Sequence, residues 1–223
     1  MLSFFQQSLK KSNTSSHNPL ITDGGATKTL FMTPKSPDDG FIVQTTFIHP
    51  DFKKLKEEGK PSVQDAVYHF HSDHEERFRL EKGAIILTID GKTSRVTPKD
   101  GEIRIPAGSY HKFSPDLNCN EDVVLSTWAL PDSKSMESFS RNLFSYLEDC
   151  HTTKKSPSFL QLLVFANYHQ NLPAIPVIPK FAGQWMSKWI LGFFGGKIIG
   201  ENLFGYKNEY EEYLDNNLTK KNL

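Results

Sequence analysis

Residues 84–97 constrain the fold more than any other stretch of the chain. Ala84 to Ile89 is an apolar, β-branched run, Asp90-Gly91 follows, and Thr93 to Thr97 is a second β-prone run. Asp-Gly between two such runs is a strong hairpin signal, because both turn positions need a positive φ that Asp tolerates and Gly adopts freely. Glu102-Ile103-Arg104-Ile105 alternates charge with isoleucine, and Val123 to Trp128 closes the series. Thr27 to Thr33 and Phe41 to Ile48 add two more strands around a turn at 34–40, and Asp51 to Gly59 reads as a charged connector. Short strands punctuated by turns predict a sandwich or barrel rather than βαβ units.

After Pro131-Asp132 the apolar period changes. Met136, Phe139, Leu143, Phe144 and Leu147 fall on one helical face, with Asp132 or Ser133 as a cap. Phe159 to His169 reads as a second helix and Gln184 to Leu191 as a third; Pro173, Pro176 and Pro179 keep the intervening chain extended. Glu209 to Asp215 suits a short last turn. The expected organisation is a loose N-terminal arm at 1–26, a β-barrel at 27–131 and a helical C-terminal extension at 132–223. Trp185, Met186, Trp189, Ile190 and Phe193 have helical spacing and are expected to pack on the barrel's outside. Capping the barrel mouth, meeting a partner subunit and touching a membrane surface are the alternatives.

Composition narrows the function classes. Twenty-six basic and twenty-six acidic residues cancel, which argues against nucleic-acid binding, where a basic face must neutralise phosphates. No window has the 18 or more consecutive apolar residues of a membrane span; the nearest, Trp189 to Gly196, is far too short. Only Cys119 and Cys150 are present, and the start lacks a secretory apolar core, so a cytoplasmic protein is expected.

The chemistry-bearing residues are His69 and His71, then Glu76, then His111 at the end of Pro106-Ala107-Gly108-Ser109-Tyr110-His111. Histidines two apart on a strand point to one face, and Phe70 to the other. Ser72 to Glu75 makes a turn, after which antiparallel pairing is expected to bring Glu76 across from the histidine pair. Three imidazoles and a carboxylate suit one divalent ion, with Fe, Mn, Ni or Zn the expected choices. His74 and Glu76 mimic the H-x-E of zinc deaminases, but no P-C-x-x-C follows. Tyr68, Tyr110 and Trp128 lie near the motifs and read as packing residues; His49, His151 and His169 read as surface or capping residues.

These residues resemble the cupin superfamily. Its first motif is H-x-H, three or four residues, E, six residues, G; here it is His69, His71, Glu76 and Gly83. Its second is G, five residues, P-x-G-x-x-H, three residues, N, matched by Pro106, Gly108 and His111. Asp100 stands in the second motif's first glycine position with Gly101 after it, Pro115 stands for the final asparagine, and Val63 for a glycine often found before H-x-H. The resemblance covers roughly residues 40–130, with a looser likeness in the tail to small single-barrel cupins of filamentous fungi. It implies a mainly β protein, a single jelly-roll barrel with a helical appendage.

The resemblance further implies that His69, His71, Glu76 and His111 ligate a metal, with His71, Glu76 and His111 catalytic. Phe78, Leu80, Ile105 and Phe113 would line the interior. The expected partner is a small oxygenated metabolite, in an oxygenase, decarboxylase or isomerase/cyclase reaction of secondary metabolism. A metal-free barrel doing acid–base isomerisation and a non-catalytic ligand-binding module are the rival readings. Cupin barrels commonly pair, so a homodimer is expected, with Thr27 to Thr33 crossing over.

Overall fold

The computed structural model describes residues 9–32, 42–130 and 134–214. The expected turn at 34–40, the caps Asp132 and Ser133, and Asp215 lie outside these residues. The chain divides into two compact units, Asn18–Glu137 and a second built from Ser138 onward with the segment through His17.

The first unit is two facing antiparallel sheets. Its strands are β1 (Leu20–Thr22), β2 (Thr27–Met32), β3 (Ile42–Phe47), β4 (His69–His71), β5 (Glu75–Lys82) and β6 (Ile85–Ile89). Then come β7 (Lys92–Val96), β8 (Glu102–Ile105), β9 (His111–Pro115) and β10 (Val123–Leu130). One sheet runs β1-β2-β3-β10-β5-β8; the other contains β4-β9-β6-β7. Phe47, Phe78, Leu80, Ile85, Leu87, Ile105 and Leu125 fill the space between them, with Phe113 packed alongside. Alternation sets this up: along β5, Glu76, Phe78 and Leu80 are buried while Arg79 and Glu81 are exposed. The expected jelly-roll barrel is the observed fold.

The hairpin forms as expected, with φ of 46° at Asp90 and 81° at Gly91 and β6 paired to β7 from Ile85↔Val96 to Ile89↔Lys92. Asp51–Glu57 is a helix, α1, rather than a bare connector. Its Phe52 is buried and meets the Phe47 ring edge-on at 4.9 Å. The strand expected to cross to a partner, β2, is bonded on both edges within its own sheet, by β1 and β3. The departures from the cupin pattern also resolve locally: the Asp100 carboxylate accepts from the Thr97 N–H at 2.7 Å, while Gly101 takes the positive φ of 68°.

In the second unit, α2 (Lys134–Thr152) and α3 (Phe159–Tyr168) follow the sequence reading, with the Ser158 hydroxyl capping α3. Tyr146, Cys150, Phe165 and Tyr213 form its core. Residues 9–17 are not a loose arm. The N–H groups of Thr14 and Ser15 donate to Glu212 O at 2.8 and 3.0 Å, and the Ser12 N–H to Asp149 Oδ2 at 2.9 Å. The third helix is longer than expected: α4 (Lys180–Met186) runs directly into a π-helix at Ser187–Phe204, ended by Gly205 with φ 79°. It buries Gly192, Gly195, Gly196 and Gly200 against α3, while Phe181, Trp185, Trp189, Phe193 and Phe194 are exposed. The spacing was helical as read, but small residues face inward and aromatics outward.

Candidate metal centre

Two strands of one sheet carry the three histidines. β4 and β9 pair with His69 directly opposite His111, so their side chains project from the same face. A further bond fixes the approach: the Gly108 N–H donates to His71 O at 2.7 Å. Glu76 does not arrive by pairing with β4, as the sequence reading had it. β5 lies in the facing sheet, between β10 and β8. The short connection after His71 crosses from one sheet to the other, so the carboxylate reaches the histidines across the barrel interior.

All four residues converge. One ligand atom from each of His69, His71, Glu76 and His111 lies within 4.8 Å of the others, and all four side chains are buried. Glu76 Oε2 is 2.9 Å from His111 Nε2 and 3.2 Å from His71 Nε2. Glu75, the neighbouring carboxylate, faces outward and accepts from Arg77 Nε at 2.8 Å. The second ring nitrogens are oriented by the backbone. His69 Nδ1 lies 2.8 Å from Val67 O, and His111 Nδ1 3.0 Å from Ser109 O. A carbonyl can only accept, so both rings hold a proton on Nδ1 and direct Nε2 inward. Metal-binding histidines are oriented by this kind of bond.

The electrostatics favour a cation at the centre. Burial, reinforced by the neighbouring His111 and His71, pushes His69 down to about 3, so its ring stays neutral. Burial also lowers His71, against the opposing pull of Glu76. Burial alone would raise Glu76, but His71 and His111 hold it well below the usual carboxylate range. His111 is raised: burial works against its charge, and the bond to Glu76 outweighs it. A buried anion ringed by imidazoles, with His71 Nδ1 making no hydrogen bond among the described residues, is a donor set that fits a divalent ion. Phe78 lies edge-on to the His111 ring at 6.4 Å and to Phe113 at 5.4 Å, giving the centre an apolar wall.

Sequence reasoning did not single out the clamp around the histidine strands. The Asp90 carboxylate accepts from the Tyr110 N–H at 2.9 Å, the Asp90 N–H donates to Tyr110 O at 2.7 Å, and the Tyr68 hydroxyl accepts from the Gly91 N–H at 2.9 Å. The hairpin turn therefore grips the residues immediately before His69 and His111. Tyr110 packs on Tyr68 and Phe70, with centroids 5.8 and 5.4 Å away; these are packing residues, as read. Also unassigned was His74, whose ring is 4.3 Å from that of His71 and whose Nδ1 is 2.7 Å from Asp73 Oδ1. Of the three histidines set aside, His169 is buried beside Phe139, at a ring distance of 5.4 Å.

Comparison with known proteins places this arrangement. The chain is 34% identical over 191 residues to the probable oxidoreductase virH of Hypocrea virens, covering 82% of this chain and 81% of that protein. This chain belongs to the virH family. Oxidoreductase iacF of Pestalotiopsis fici is 32% identical over 127 residues, 55% of this chain and 60% of its own length. Epoxidase atD of Aspergillus terreus is 27% identical over 206 residues, 87% of this chain and 62% of its own. The chain thus spans about three fifths of the length of these last two relatives. No protein-family model matches it. Solved structures similar to parts of it include the Cnp3 cupin domain of Schizosaccharomyces pombe, with 17% identity, a TM-score of 0.31, and 50% of this chain and 66% of that one covered. KdgF of Halomonas sp. also shares 17% identity, with a TM-score of 0.35 and coverage of 57% and 99%. The cupin architecture of this virH-family chain rests on its own strand order and register.

Proposed function

We propose that this chain is a metal-dependent oxidoreductase of the cupin type, acting on a small oxygenated metabolite of fungal secondary metabolism with dioxygen as electron acceptor. The observation that carries the metal is the convergence of His69, His71, Glu76 and His111 in the barrel interior. The reaction class is supported by relatives named oxidoreductase and epoxidase.

In this reading the three imidazoles and the Glu76 carboxylate hold one divalent ion. A bound ion would supply a Lewis-acidic centre for an oxygen donor, and a redox-active one where the ion is Fe or Mn rather than Zn. The protein's own groups prepare that centre. Val67 O and Ser109 O keep the His69 and His111 rings in the tautomer that presents Nε2. Phe78 and Phe113 exclude water from one side, which strengthens every charge interaction inside. The test compares metal-stripped and metal-reloaded protein for dioxygen uptake with a panel of phenolic and enolic metabolites. Uptake that needs metal supports the reading; full turnover in chelator contradicts it.

One observation favours a second reading. Glu76 bonds both His71 and His111, an arrangement that can move a proton between two imidazoles without metal. Chelator-resistant isomerisation, with no dioxygen consumed, would select it.

A further inference from the structure

The helix from Lys180 to Phe204 is polarised in an unusual way. Its inward stripe is small: Gly183, Ser187, Gly192, Gly195, Gly196 and Gly200 are buried. A Cβ on Gly196 would lie 2.6 Å from Leu163 O, so the glycines allow backbone-to-backbone approach on α3. The outward stripe carries Phe181, Trp185, Trp189, Phe193, Phe194 and Ile198, from 37% to 82% exposed. Phe181, Trp185, Trp189 and Phe193 are four residues apart, and Ile198 follows four after Phe194, about one turn of the α- and then the π-helical part, so they line one face. Ridges of this size with no polar residue among them are a marked departure from ordinary surface, where large apolar residues are scattered singly.

The charges nearby indicate what covers this face. Lys180 and Lys188 are exposed on the same helix. The helix's one acidic residue, Glu201, is paired with Lys197 at 2.6 Å. Two of the chain's three tryptophans lie on the stripe, and tryptophan with flanking lysine is the composition of the water–bilayer boundary. No described helix is long and apolar enough to cross a membrane. An apolar stripe with basic residues beside it lies in the boundary plane instead and is drawn there by anionic headgroups. A second copy of the chain would bring Lys188 no unpaired carboxylate from the same helix.

We propose that the Phe181–Ile198 stripe is a peripheral docking face for the surface of an anionic phospholipid bilayer. This proposal is independent of the metal centre, which lies in the other unit. The full chain is mixed with phosphatidylcholine vesicles and with vesicles in which about a quarter of the lipid is phosphatidylserine. Binding is read by co-sedimentation and by tryptophan emission. The expected result is sedimentation with the anionic vesicles and a blue-shifted emission, since Trp185 and Trp189 enter an apolar layer while Trp128 is already buried. Trp185→Ser with Trp189→Ser should reduce binding at least tenfold, with metal content unchanged. Lys180→Glu with Lys188→Glu leaves the apolar stripe intact and should weaken binding to anionic vesicles, so the idea stays testable if the serine variant misfolds. Absence of binding to either vesicle overturns the proposal. So does a dimer, by sedimentation velocity, that the serine variant dissociates while lipid binding is nil; the face would then belong to a second copy.

Discussion

His69 and His111 stand directly opposite each other on adjacent antiparallel strands, with ring centroids 4.2 Å apart. Two imidazoles so close inside a barrel cannot both carry charge at little cost, and the Glu76 carboxylate beside them settles which one does. His69 stays neutral while His111 leans towards the imidazolium. A divalent ion would take over the role of that proton.

Glu76→Gln therefore tests the charge rather than the shape. Glutamine fills the same space but removes the only anion among the four donors. Metal affinity, measured by chelator competition, should fall by about 100-fold or more, given that even groups supporting a ligand are worth about 10–100-fold. Retention of wild-type affinity would show that Glu76 is not a ligand.

The hairpin clamp makes a separate prediction. Asp90→Ala loses the acceptor for the Tyr110 N–H, next to His111. Metal affinity should drop about tenfold. Asp90→Asn should restore most of it, since asparagine keeps a side-chain oxygen and tolerates the positive φ of 46°. Equal losses in both variants would mean that charge, not positioning, is what Asp90 contributes.

Gly83 ends the first motif, with φ 80° and an added Cβ only 2.7 Å from Asp122 O. Gly83→Ala should destabilise the fold by about 1–3 kcal/mol through backbone strain and the clash, read as a lower denaturant midpoint. An unchanged midpoint would rule out that constraint.

Acid should destabilise the metal-free protein through His69. Its folded value is depressed from 6.5 to about 3, so between those values the unfolded chain binds more protons and stability falls as pH falls. Glu76, also depressed, contributes stability that is lost below the ordinary carboxylate range. His111 has the opposite sign: its raised value contributes stability at low pH that is lost as pH rises through it. His69→Gln should flatten the decline between pH 6.5 and 3 in urea titrations; an identical slope would refute the assignment.

Much of this was legible in the sequence, for physical reasons. Period-two alternation at Glu102–Ile105 and the Asp90-Gly91 turn depend on local sterics, and both formed as read. The four donors were legible because each sits beside a turn of fixed chemistry. How Glu76 reaches them was not: whether a strand pairs with its neighbour or crosses to the facing sheet depends on long-range register. The inversion of the 180–204 helix was hidden for a similar reason. Helical spacing marks an apolar stripe but not which side is buried, and here the glycines gain closer packing on Leu163 and Val164 than aromatics would allow. The clamp was missed because its key bonds run to backbone N–H groups, which leave no residue pattern.

The most direct test of the metal centre is the metal content of untagged protein by plasma mass spectrometry, beside His71→Ala. Near one equivalent of Fe, Mn, Ni or Zn in the wild type and none in the folded variant is the expected result. No metal in the wild type, even after incubation with each ion, would contradict the account.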